Sequence, residues 1–363
     1  MNCDCKNCKN RHNNDMRLID RLYEEDLDDF LIERPVDAEL RKKIQIVKQK
    51  HYEVVPNIPF WINVDLKIIS LFQEFQTVFG NVVKMAQGIQ TGDNKRYIRR
   101  LEGANVKRSD MSLDTIKTSE ISTLKSYSGD ELGKFRLFGI KNEDPHYVPF
   151  IKGSPREWFL AEEFTFLDWS KDSVTRLKRA QRQSTKQSAL RNPLWLFREG
   201  LIVVTAYRGI IAAKRIPLGA VQILPMVATR KEYPLISPEF LLGFLNSKLI
   251  SYLNGKVIQP VLEDMNARTY SGYLKHIPFC NIDDLQLNRE KFVQFIKEVE
   301  NSVKNILEKL IDQNESFKPL EDNNFQELNN SIYRWYGIDG REDLINEIDE
   351  FYDQRVLLLL SQA

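Results

Sequence analysis

Apolar residues recur at helical spacing near both ends of this chain and run together or alternate through its middle, a pattern that predicts helices on either side of a sheet. Between 14 and 50, Leu18, Ile19, Leu22, Leu27, Phe30 and Leu31, then Leu40, Ile44 and Val47, predict two short amphipathic helices broken near Pro35. Pro56 and Pro59 close that region, and Leu66, Ile68, Ile69, Leu71, Phe72 and Phe75 predict a compact amphipathic helix. Strands are expected at 82–86, 135–140, 201–207, 210–213 and 221–224, with a helix over 241–253. After 281, the stripe from Phe292 through Phe295, Ile296, Val299, Val303, Ile306 and Leu307 to Leu310 and Ile311 predicts one long helix. Two more are expected around 328–336 and 341–353, separated by a turn at 337–340. The expected fold class is mixed α/β (α+β): a sheet-containing domain over 56–280 between a polar helical segment at 1–55 and a helical region at 281–363.

Composition adds little until charge is divided by segment. The 363 residues are 42% hydrophobic, enough for two or three domains with real cores, and the net charge is +1. Yet Lys171, Arg176, Lys178, Arg179, Arg182, Lys186, Arg191, Arg198, Arg208, Lys214, Arg215 and Arg230 face only Asp172 and Glu199 within about sixty residues, a polyanion-sized footprint. From 281 to the end the balance reverses to nine Lys/Arg against eighteen Asp/Glu, so this end suits solvent or a basic partner protein. No apolar run is long enough to cross a bilayer, Val356 to Leu360 included. The start carries no hydrophobic leader, so a cytoplasmic protein without membrane contact is expected.

Three segments carry candidate chemistry. Gln87, Gly88, Ile89, Gln90, Thr91, Gly92, Asp93 and Asn94 make a polar double-glycine loop followed by Lys95 and Arg96. The glycines permit positive φ and close approach, and the amides and hydroxyl can meet phosphate or base edges. Taken alone, such a loop is also an ordinary turn. The stretch 178–188 interleaves Lys178, Arg179, Arg182 and Lys186 with Gln, Ser and Thr, which reads either as DNA anchors or as a solvated helix face. Cys3, Cys5, Cys8 and His12 offer three thiolates and an imidazole, the ligand set of a structural zinc site, although one residue between Cys3 and Cys5 is tight for a shared ion. His12, His51, His146 and His276 are too scattered for a histidine-metal nuclease finger, and no Glu-x-Lys pair is present.

Several phrases, in one order, resemble the target-recognition part of adenine-specific DNA methyltransferases, especially those of BREX phage-defence systems and fused Type IIG restriction-modification enzymes. They are residues 87–96, then Val148 to Gly153 with Trp158, Leu241 to Lys248, His276 to Phe279, and Ile332 to Ile338, covering roughly 56–350. The resemblance implies that 56–280 is a double-stranded DNA target-recognition domain and that 281–363 docks on a catalytic partner. That partner would be a methyltransferase, or another defence-system subunit, and would carry S-adenosylmethionine. The glycine-rich cofactor loop and the Asn/Asp-Pro-Pro-aromatic tetrapeptide of such catalytic domains are not in this sequence. Asp144-Pro145-His146-Tyr147 and Asn192-Pro193-Leu194-Trp195 each lack the second proline, and read as a turn and the start of a strand.

A non-catalytic recognition module is therefore expected, with no cofactor in this chain beyond the zinc that the cysteines would hold. Its DNA contacts would come from Gln87, Gly88, Gln90, Thr91, Gly92, Asn94, Lys95 and Arg96, from Lys152 and Gly153, and from Lys178, Arg179, Arg182, Lys186, Arg191, Arg208, Lys214 and Arg215. The alternatives are the recognition subunit of a split methyltransferase active only with its partner, or a protein-binding inhibitor that copies the recognition domain.

Overall fold

The computed structural model describes residues 15–19, 44–48, 54–55, 64–75, 77–104, 110–124, 127, 129–152, 158–161, 165–182, 190–204, 209–259, 271–279, 289–313 and 316–361. Strands β1 (Asp15–Ile19) and β2 (Ile44–Lys48) pair antiparallel, with Met16 opposite Val47. Helices were expected across both segments. Ile44, Ile46 and Val47 are β-branched and lose side-chain freedom in a helix, which favours the ladder instead.

Helix α1 (Leu66–Glu74) starts where the Asp65 carboxylate accepts from the Lys67 amide at 2.7 Å, and it buries Ile68, Ile69 and Leu71, as its apolar spacing predicts. Then follow α2 (Phe79–Val82), β3 (Val83–Ala86), α3 (Asn94–Tyr97), β4 (Ile98–Leu101), β5 (Thr115–Ile116), α4 (Gly129–Phe138), β6 (Tyr147–Ile151), β7 (Phe159–Leu160), β8 (Thr165–Asp168) and α5 (Lys171–Arg182). The strand expected at 135–140 is instead the end of α4. Asp130 and Glu131 sit favourably in the first turn of that helix, and Gly139 at φ +78° stops it.

Strands β9 (Gly200–Val204), β10 (Ala212–Ile216), β11 (Val221–Gln222) and β12 (Met226–Thr229) complete two five-stranded sheets. The first runs β3-β12-β9-β10-β7 and the second β11-β6-β8-β4-β5. The pairs β7/β10, β6/β11 and β4/β5 are parallel and the others antiparallel.

Helices α6 (Pro238–Asn246) and α7 (Lys248–Tyr252) continue into a π-helical turn, Leu253–Ile258. Beyond α8 (Ser271–Leu274), α9 (Arg289–Asp312), α10 (Asn323–Trp335) and α11 (Glu342–Ser361) form the expected helical end. The first sheet and these helices share a core whose members run from Val55 to Leu359, across position 281. Gly243 admits this packing, since a Cβ there would lie 2.6 Å from Val299 Cγ1. Buried Asn246 ties α6 to the sheet by accepting from the Ala213 amide at 2.7 Å and donating to the Ala213 carbonyl at 3.0 Å.

A second core lies under the other sheet, where α4 and α5 contribute Leu132, Val174 and Leu177, and Trp169 meets Phe197 edge to face at 5.3 Å. Among the described residues no helix is long and apolar enough to cross a membrane.

Candidate nucleic-acid interface

The double-glycine loop leaves β3 in the first sheet and inserts Ile89 into the core of the second. Three hydrogen bonds fix that crossing. Gln87 Nε2 donates to the Ile223 carbonyl at 3.0 Å, the Ile89 amide donates to the Gln222 carbonyl at 2.9 Å, and Asn192 Nδ2 donates to the Gln87 carbonyl at 2.9 Å. Gly88 is required by contact, because a Cβ there would lie 2.0 Å from the Gln222 carbonyl oxygen. Gly92 is required by conformation, at φ +70°.

Polar groups within the loop then start α3. The buried Thr91 hydroxyl donates to Asn94 Oδ1 at 2.6 Å, and the Asp93 carboxylate accepts from the Arg96 amide at 3.1 Å. The loop therefore divides into two sets. Gly88 and Thr91 are buried within it, while Gly92, Asn94, Lys95 and Arg96 are exposed and Gln90 half-exposed. Gln90 Oε1 accepts from Arg191 Nη2 at 3.4 Å, which brings one cation of the basic segment to the loop.

Tyr97 links the loop to α5. Its ring lies beneath the Arg96 guanidinium at 5.9 Å, and burial raises the phenol above its usual range while nearby Arg96 and Arg176 oppose that rise. Asp168 anchors the start of α5 by accepting from the Ser170 amide at 2.9 Å and the Ser173 hydroxyl at 2.6 Å. Because Val174 and Leu177 face the core, Lys171, Arg176, Arg179 and Arg182 are exposed on the outer side. Among the described residues, none of these four cations pairs with a carboxylate.

No family model matches the chain, and no curated protein matches it. Among solved structures, it is similar to the Type IIL restriction-modification enzyme MmeI in complex with DNA. The identity is 15% and the TM-score 0.43, over 79% of this chain and 37% of that one. The chain thus spans well under half the length of the matched enzyme.

The remaining predicted cations are dispersed. Lys152 forms an ion pair with Asp110 at 2.6 Å. Lys178 donates to the Leu137 carbonyl and lies 5.1 Å from the centre of the Phe138 ring. Arg215 pairs with Glu199 at 2.8 Å and Glu239 at 3.6 Å, which neutralises it. Lys214 is fully buried in β10, with no surface for a phosphate to reach, so it is removed from the candidate set. Gly153, Lys186 and Arg208 lie outside the described residues, as do Cys3, Cys5, Cys8 and His12. Among the described residues no group of three His, Cys, Asp or Glu could hold a metal ion.

Sequence reading did not single out Arg176 or Tyr97 as site residues. The signal for Arg176 was available, because Val174 and Leu177, three apart, mark the buried face of α5 and place Arg176 and Arg179 on the other. A turn was expected over Asp144-Pro145-His146-Tyr147; the turn lies over 142–144, so that phrase only begins in it, and Tyr147 already opens β6. Asn192 precedes a 3₁₀ turn, Pro193–Trp195, where a strand start was expected, since Asn192 holds a left-handed φ of +45°.

Proposed function

We propose that this protein is a sequence-specific double-stranded DNA recognition module, itself non-catalytic. The observation that carries this reading is the row of exposed cations on α5, unpaired among the described residues, beside the Gly88–Arg96 loop with its neutral amides and cations. Phosphates dominate affinity through cation contacts, while base edges are read by amides, hydroxyls and guanidinium groups. Exposed Arg176, Arg179 and Arg182, without a carboxylate partner among the described residues, together with Gln90, Asn94, Lys95, Arg96 and the Gln90-bound Arg191, supply both kinds of group, and Arg176 is near enough to act on Tyr97 at the end of the loop.

The order of phrases along the sequence supports a finer reading. In it the module serves an adenine methyltransferase of a phage-defence or restriction-modification system, in the cytoplasm, with catalysis and S-adenosylmethionine on a partner. The acidic helical end would dock on that partner and stay clear of phosphate.

Selection of bound duplexes from a randomised double-stranded pool tests sequence recognition. One motif should become enriched over successive rounds. A pool that binds but stays random would contradict it.

A further inference from the structure

The turn Pro193–Trp195 holds Leu194 out in solvent, 60% exposed, although the chain on both sides is anchored. On one side Asn192 is tied to the Gln87 carbonyl, and on the other Trp195 packs against a small cluster around Ile216 and Met226. Leu196 and Phe197 are fully buried, and the Leu196 carbonyl accepts from Arg136 Nε at 2.6 Å. Leu194 itself belongs to none of the three apolar clusters.

Single exposed leucines are ordinary on protein surfaces. This one sits on a turn stiffened by Pro193, with Arg191 and Arg198 close by in the chain and Arg191 bonded to Gln90 of the glycine loop. An apolar tip held among phosphate-binding groups has the chemistry of a wedge that enters between base pairs, unstacks them and kinks the duplex. Because the turn is already ordered, little conformational freedom is lost on insertion.

We propose that Leu194 inserts between adjacent base pairs of bound duplex DNA and locally unwinds it. This rests on the reading of the surrounding face as a DNA interface. The ligand is the stacked apolar surface of a base step, reached after Arg191 and the cations of α5 engage the flanking phosphates.

Unwinding can be read without knowing the preferred sequence. The full chain is bound to relaxed closed-circular plasmid, the complex is treated with topoisomerase I, and the deproteinised topoisomers are separated. The wild type should shift the linking number in proportion to the amount bound, and Leu194→Met should retain that shift.

At equal occupancy Leu194→Ala should lose the shift, while binding mixed-sequence duplex about tenfold more weakly. Leu66→Ala, which removes an exposed leucine from α1, should match the wild type. Plasmid binding without a shift, or a shift that survives in Leu194→Ala, overturns the wedge and leaves the DNA-binding reading standing. No plasmid binding at low salt overturns both.

Discussion

Gly88 packs against the main chain of Gln222 so closely that a methyl group would lie 2.0 Å from the Gln222 carbonyl oxygen. That contact, with the Ile89 amide bonded to the same carbonyl, seats the double-glycine loop on β11. Gly88→Ala should lower unfolding stability by about 1–3 kcal/mol, the range for overpacking a close contact. It should also weaken DNA binding. Gly92→Ala, strained at positive φ, should cost about 1–2 kcal/mol. Denaturant melts measure both, and an unaltered Gly88→Ala midpoint would argue against the contact.

Arg215 offers a contrast within the basic segment. Its guanidinium is already matched by Glu199 and Glu239. Arg215→Ala should change DNA affinity by no more than about twofold, because a partly exposed ion pair contributes little and releases no free cation. A loss as large as that of Arg182→Ala, measured in the same titration, would place Arg215 on the DNA face after all.

Lys248 is nearly buried between Asp353 at 3.0 Å and Asp349 at 3.4 Å, joining α7 to α11. Burial raises the Asp353 carboxyl, and Lys248 opposes that rise. Lys248→Met should destabilise the protein by about 2–3 kcal/mol, less than for a fully enclosed pair because both carboxylates are partly exposed. The variant's Asp353 should rise further. A raised carboxyl stabilises below its unfolded pKa and loses that contribution as pH climbs, so the deficit should be larger at pH 7 than at pH 4. An equal deficit at both would contradict the pairing.

Tyr252, Tyr333 and Tyr352 lie in the helical core, and burial pushes all three phenols above their ordinary value of 10.0. Glu347 and Asp349, which accept from Tyr252 and Tyr333, push the same way. Their contribution is fully present below pH 10 and is lost as pH rises above it, because only the unfolded chain then releases these protons. Stability should therefore fall steeply between pH 10 and 11.5. Tyr333→Phe should flatten the slope by up to about 1.4 kcal/mol per pH unit. An unchanged slope would indicate that Tyr333 ionises normally in the folded protein.

Helical periodicity made α1 and the three C-terminal helices legible, since each buries one stripe against a single core. The apolar run from Phe135 to Ile140 misled because its alternation fits a strand, whereas the acidic start of α4 lies several residues upstream. For the site, counting charges located the basic segment but not which cations are available. Lys214 is hidden by strand packing, and Arg215 is matched by Glu239, a partner from the following helix whose proximity only the fold creates. The glycine loop was legible as a loop. That Gly88 meets Gln222, more than a hundred positions away, was not.

The most direct test of DNA recognition is the salt dependence of binding to mixed-sequence duplex DNA by the full chain and by Arg176→Ala, Arg179→Ala and Arg182→Ala, singly and combined. Affinity should fall steeply from low to physiological salt. Each substitution should reduce the slope of log affinity against log salt by about 0.9, and the triple variant by about 2.7. A salt-independent affinity, or a triple variant with the wild-type slope, would contradict a DNA-binding role for this face.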